Sequence, residues 1–152
     1  MATGLCLLAG AETGGLAQAT KVRITDFNDL TFGQLAGVSD AYLTDDVCAY
    51  SSTSGYFVTA TGSGSGGAFS LASASSTLPY EVMWAGAPGQ TTGTALTAGV
   101  TSSAFTNPAT QLTCSSGPPS IASLIVVIRA NTVSAAQAGS YTGTLSIMIA
   151  PQ

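Results

Sequence analysis

Apolar and polar residues alternate with a period of two over most of the chain after residue 20, the spacing of half-buried strands, whose side chains point to opposite faces in turn. In the run Tyr141–Ile149, Tyr141, Leu145, Ile147 and Ile149 share one face, and Thr142, Thr144 and Ser146 share the other. A second run, Ile121–Ile128, is apolar on both beats: Leu124, Val126 and Ile128 alternate with Ile125 and Val127. Such a run predicts a strand covered on both faces. Its length would also suit a helix, but its β-branched content and the preceding Gly117-Pro118-Pro119 favour a strand.

Tyr56, Val58 and Ala60 alternate with Phe57 and Thr59, while Tyr80, Val82 and Trp84 alternate with Glu81 and Met83. Phe69 and Leu71 predict a short partner strand. Lys21–Phe27 also alternates, with Val22 and Ile24 on one beat. Breakers separate these runs: Gly62–Gly67, read as a hairpin loop, then Ala87-Pro88-Gly89 and Asn107-Pro108. About six to eight strands at this spacing predict an all-β sandwich. Helical periodicity is confined to one turn near Ser134–Gln137.

Composition changes this picture in one respect. The 152 residues suit one domain. Only 7% of them are charged, against about a quarter in typical domains, while 45% are hydrophobic. That balance argues against disorder and leaves little charge to oppose self-association. With three basic residues and a net charge of −4, the chain lacks the cations needed to grip nucleic acid or an anionic membrane surface.

Residues 1–19 differ from the rest. A short apolar run from Gly4 to Ala9 ends in the small-x-small pattern Ala17-Gln18-Ala19, where signal peptidases cut. The segment is read as a truncated signal peptide, since no Lys or Arg precedes the run, or else as an N-terminal extension. The domain is then 20–152, and export is the natural inference. If Cys6 leaves with the signal, Cys48 and Cys114 remain as a pair, which reads as a disulfide in an oxidising compartment. The alternative is two buried free thiols.

Candidate chemistry is sparse. The chain has no histidine, which removes Ser-His-Asp and Cys-His catalysis and the usual zinc sites. No catalytic residue, cofactor or metal site is expected, so the protein is read as a non-enzyme. Asp45-Asp46, the one adjacent pair of carboxylates, is read as a solvated turn in preference to a calcium site or an acid-base pair. Gly62–Gly67 lacks the Lys-Ser/Thr ending of a phosphate loop. Tyr56, Tyr80, Trp84 and Tyr141 fall on apolar beats and are read as core in preference to sugar-stacking platforms.

The order of several short motifs carries a resemblance. Leu30-Thr31-Phe32-Gly33 comes first, then Cys48 shortly before Tyr56-Phe57-Val58-Thr59-Ala60-Thr61-Gly62, then Leu78-Pro79-Tyr80-Glu81-Val82, and finally Ala138-Gly139-Ser140-Tyr141-Thr142-Gly143-Thr144-Leu145. Over about residues 20–152 this resembles the spore coat protein U domain family, which includes the subunits of archaic chaperone-usher pili. The resemblance implies an immunoglobulin-like, pilin-type sandwich that lacks its final strand and is completed by a donor strand. It implies a structural subunit of an extracellular filament of identical or related subunits, whose partners are a periplasmic chaperone and an outer-membrane usher. The groove and subunit contacts would then involve Tyr141, Leu145, Ile147, Ile149, Val126 and Ile128.

Two departures from the family pattern bear on this. The family's first cysteine, ahead of Leu30, is missing, which leaves Cys114 as the partner for Cys48. Candidate donor-strand residues are Leu5 and Leu7, within Thr3–Ala9, and Val22 and Ile24, although the latter two run so directly into Leu30 that they suit the domain's own first strand. A secreted tip adhesin or lectin-like module, with a ligand site around Asp45, Gly64 and Gly89, and a spore or cell-surface coat protein are the alternatives.

Overall fold

The computed structural model describes residues 20–114 and 121–152. Leu5, Leu7 and Cys6 lie outside these residues. Among the described residues nine strands form, in chain order β1 (Val22–Thr25), β2 (Ala41–Ser51), β3 (Tyr56–Gly62), β4 (Ser70–Ala72), β5 (Thr77–Pro79), β6 (Glu81–Ala85), β7 (Thr94–Ala95), β8 (Ala122–Ile128) and β9 (Leu145–Pro151). One short helix, α1 (Ala130–Ala135), precedes β9. It starts a few residues before the expected Ser134–Gln137 turn.

The first layer is an antiparallel sheet in the order β1-β2-β8-β6-β7. β8 sits at its centre, and all seven of its residues are buried. Leu124, Val126 and Ile128 enter the main core. On the other face Val127 lies between Tyr42 and Glu81, and Ile125 between Thr44 and Met83, so cross-strand neighbours shield it.

The second layer is built on β3 paired with β9, in a register running from Tyr56↔Pro151 to Gly62↔Leu145. The opposite edge of β3 takes the stretch 99–105, through bridges of Tyr56 to Phe105 and Thr59 to Thr101. The layers enclose Val47, Ala49, Tyr56, Val58, Ala60, Val82, Trp84 and the inward side chains of β8. Tyr56 packs edge-on against Trp84 with 6.4 Å between ring centroids, and stacks on Phe105 at 5.7 Å.

Several expectations need correction. Asp45 and Asp46 do not form a turn. They sit within β2, opposite Leu124 and Ser123, and Asp45 is buried. Each finds its partners far along the chain: Asn28 donates to Asp45 from its main-chain N and its Nδ2, while Ser123 and the main-chain N of Gly89 donate to Asp46. Gly62–Gly67 is not a hairpin loop, because β3 pairs with β9 and β4 pairs with β5. It is a crossing from the β3–β9 pair to the β4–β5 pair, tightened by a 3-10 turn (Ser65–Gly67) in which Gly66 and Gly67 have φ of 66° and 84°. The final strand begins at Leu145, and Tyr141 precedes it. Val22 and Ile24 lie in β1, which pairs antiparallel with β2 of its own chain as the domain's first strand.

Cys48 and Cys114 form a disulfide across 66 residues of sequence, with 5.9 Å between Cα atoms. It fastens the loop before β8 to β2, where Ala109 bridges Tyr50. Cys48, Ala109 and Cys114 form a small core there, with Tyr50 and Ile121 against it.

Candidate functional site

The register of the second layer determines which backbone groups remain free. In an antiparallel ladder, successive residues direct their N–H and C=O to opposite edges. Tyr56 exchanges both of its bonds with Phe105, and the carbonyls of Val58 and Ala60 accept from Ser102 and Gly99. The β3–β9 ladder therefore runs through Phe57, Thr59 and Thr61, opposite Ala150, Met148 and Ser146. It follows that Leu145, Ile147 and Ile149 direct their backbone groups to the other edge of β9. Among the described residues no strand pairs with that edge.

Beside this edge runs the stretch 27–36. β1 ends at Thr25, and Asp26 then adopts φ of 71°, a left-handed conformation that Asp tolerates better than most residues. The chain thereby leaves β2 and crosses toward β9. Residues 27–36 belong to no strand or helix, and none makes a backbone-to-backbone hydrogen bond with another described residue. Leu30, Phe32 and Leu35 are partly buried against the core.

Between 27–36 and 140–147 lies a groove of about 1530 Å³. Leu78, Tyr80, Leu124, Val126 and Ile128 line its floor, with Leu71, Val133 and Ala136 also facing it. The floor side chains are nearly buried because Leu30, Phe32 and Leu35 lean over them. Among the described residues, the one charged residue along it is Asp29. An apolar slot between two backbone segments with free hydrogen-bonding groups has the chemistry to accept an extended strand.

Tyr141, Leu145, Ile147, Val126 and Ile128 all line this groove. Ile149 does not; it is 9% exposed and packed in the core, although its backbone shares the free edge. Sequence reasoning missed the opposite wall. Leu30, Phe32 and Leu35 lie in a stretch with no regular period; Leu30-Thr31-Phe32-Gly33 stood out as a motif of the resemblance, but nothing in it gave a place beside the groove.

Among the described residues one charged cluster stands apart from the groove lining. Arg129 pairs with Asp40 at 2.8 Å and with Glu81, and the main-chain N of Ala130 donates to Asp40. The Asp40 carboxyl is held below its ordinary range, first by the Ala130 N–H and then by Arg129. Glu81 is lowered chiefly by Arg129.

The loop ligand site around Asp45, Gly64 and Gly89 is not assembled. Asp45 is buried beneath Asn28, Gly64 bonds Ala68 in the crossing after β3, and Gly89 is held on Asp46 over the first sheet. No three His, Cys, Asp or Glu side chains among the described residues gather as a metal site, and none of their helices is long and apolar enough to cross a membrane.

The protein is thus an all-β, immunoglobulin-like sandwich with an open groove beside its last strand. No protein-family model and no curated protein sequence matches the chain. Solved structures that resemble it include a chaperone-tip adhesin complex vital for activation of CFA/I fimbriae biogenesis. There the identity is 16% and the TM-score 0.50, covering 86% of this chain and 42% of that one. Another is the CsuC-CsuE chaperone-tip adhesion subunit pre-assembly complex from archaic chaperone-usher Csu pili of Acinetobacter baumannii, at 16% identity and a TM-score of 0.47, covering 86% and 39%. The chain spans about two-fifths of the length of these matches. At such identity the likeness is one of fold.

Proposed function

We propose that this protein is a structural subunit of an extracellular chaperone-usher-type pilus, completed by a strand donated from a neighbouring subunit. The observation that carries this reading is that, among the described residues, the outer edge of β9 and the stretch 27–36 across an apolar groove from it are both without backbone partners. One inserted strand would hydrogen-bond both segments and pack on the half-buried side chains of the groove walls, removing an exposed edge. Its function is mechanical and needs no catalytic group.

Before assembly the same groove would be covered by a periplasmic chaperone, with an outer-membrane usher organising the exchange. The proposed donor is Thr3–Ala9, whose Leu5 and Leu7 share one face of an extended strand. A chain that keeps residues 1–19 both donates and accepts, and polymerises into a homopolymer. A chain cut after Ala19 accepts only and belongs at a filament end. Intact mass and light scattering of the exported protein test this together: retained chains form oligomers, and cut chains stay monomeric and bind an added donor peptide one to one. Retained chains that stay monomeric with an open groove contradict the reading.

A further inference from the structure

The wall opposite β9 is held in an unusual way, and the residue that holds it lies in the pair of carboxylates first read as a turn. From Phe27 to Ala36 no backbone hydrogen bond ties the chain to another described residue. Polar contacts occur at its two ends. At the near end the main-chain N and Nδ2 of Asn28 both donate to the Asp45 carboxylate, each at 2.8 Å. At the far end the Ser134 hydroxyl, which donates to the Ala130 carbonyl at 2.6 Å, stands 3.3 Å from the carbonyl of Gly37.

Asp45 is suited to this task by its place in β2. It is on the same beat as Val47 and Ala49, so its carboxylate faces the sandwich interior and is 6% exposed. A buried carboxylate requires donors, and Asn28 supplies both of those found here. The pair follows directly on Asp26, whose left-handed backbone turns the chain out of β1. Between these two ends, Leu30, Phe32 and Leu35 rest on the core by apolar contact.

We infer that Asn28 and Asp45 are positioning residues for strand docking: their paired hydrogen bonds pre-set the wall 27–36 at the spacing from β9 that one inserted strand needs. This rests on the groove being a strand acceptor. A strand that docks must hydrogen-bond to β9 on one side and to this wall on the other. If the wall is free before docking, the cost of ordering its residues is subtracted from the binding free energy. The pin meets that ordering cost during folding.

The test uses the exported chain cut after Ala19, which accepts a strand but has none to donate, and a synthetic peptide of residues 1–12, with affinity read by fluorescence polarisation and wall order by backbone 15N relaxation. Asn28→Ala weakens peptide binding by about tenfold or more and lowers the order parameters of residues 29–36 toward the flexible range, below about 0.6. The exchanged pair Asn28→Asp with Asp45→Asn keeps a donor facing an acceptor at both bonds and restores affinity. Ser123→Ala breaks a separate buried hydroxyl network over the first sheet and serves as a stability control. It lowers Tm and leaves affinity unchanged. The inference is overturned if Asn28→Ala binds as wild type does, or if both single variants lose affinity in proportion to lost Tm. A wild-type chain that binds no peptide overturns the groove reading itself, and the inference with it.

Discussion

Trp84 donates from Nε1 to the Tyr56 hydroxyl at 3.1 Å, and both side chains are fully buried. Tyr56→Phe keeps the ring and its stacking on Phe105 but leaves the indole N–H without that acceptor. An unsatisfied buried donor costs about 1–3 kcal/mol, so urea denaturation should show a loss of that size with little change in m-value. Wild-type stability in this variant would mean that Trp84 finds another acceptor. The Arg129 cluster behaves differently because it is solvent-exposed. Asp40 and Glu81 are both lowered from their ordinary values, so their contribution is present above the unfolded carboxylate range and is lost as pH falls through the lowered folded values. Arg129→Gln should therefore reduce Tm slightly at pH 7, and the difference from wild type should vanish in acid, below the carboxylate range of about pH 4. Thermal melts across pH check this; a difference that grew in acid would reverse the sign.

Strands were legible where one face is core and the other is not. β3, β6 and β8 stand where their alternation places them, and the β-branched, doubly apolar run of β8 is central in its sheet. Where the reading went astray, the deciding partner is distant in sequence. Two adjacent carboxylates look solvated until Asn28, 17 residues away, and Ser123, 77 residues away, are brought to them. Glycines 62–67 announce a change of direction, but not that β3 will pair with a strand at the far end of the chain. Half of the groove was legible from β8 and β9. Its other wall was not, because 27–36 has no periodicity and takes its place from the Asp26 turn and the Asn28 bonds. Alternation within β9 yields a test: Ile147 faces the groove, while Met148 on the opposite beat is 69% exposed. Ile147→Lys should abolish peptide binding and Met148→Lys should leave it unchanged, as read by polarisation. Equal effects would mean that β9 presents a different face. The disulfide also acts between elements, tying the loop before β8 to β2. Replacing Cys48 and Cys114 together with Ala should cost up to about 4 kcal/mol on the chain-entropy estimate, read as a fall in Tm that matches reduction of the wild type. An unchanged Tm would show that Ala109 and its neighbours hold the loop unaided.

At the scale of the whole molecule, two layers share one core but end unequally. The first sheet has five strands, whereas the second is β9 beside β3 beside the bridged stretch 99–105, with its outer edge unpaired among the described residues. With seven acidic and three basic residues, the surface offers little charge to keep such an edge apart from other chains. Low charge, an exposed edge and an apolar slot all favour association through a strand, and the disulfide suits the oxidising compartment where such an association would occur. The account stands or falls on the backbone of β9. Its most direct test is amide hydrogen exchange at Leu145, Ile147 and Ile149 in the monomer, with and without the peptide of residues 1–12. These amides should exchange rapidly in the free protein, while those of Ser146, Met148 and Ala150 on the β3 side are protected, and the peptide should slow the first set. Protection of all six in the free monomer would mean that the sandwich is already complete, and would contradict the account.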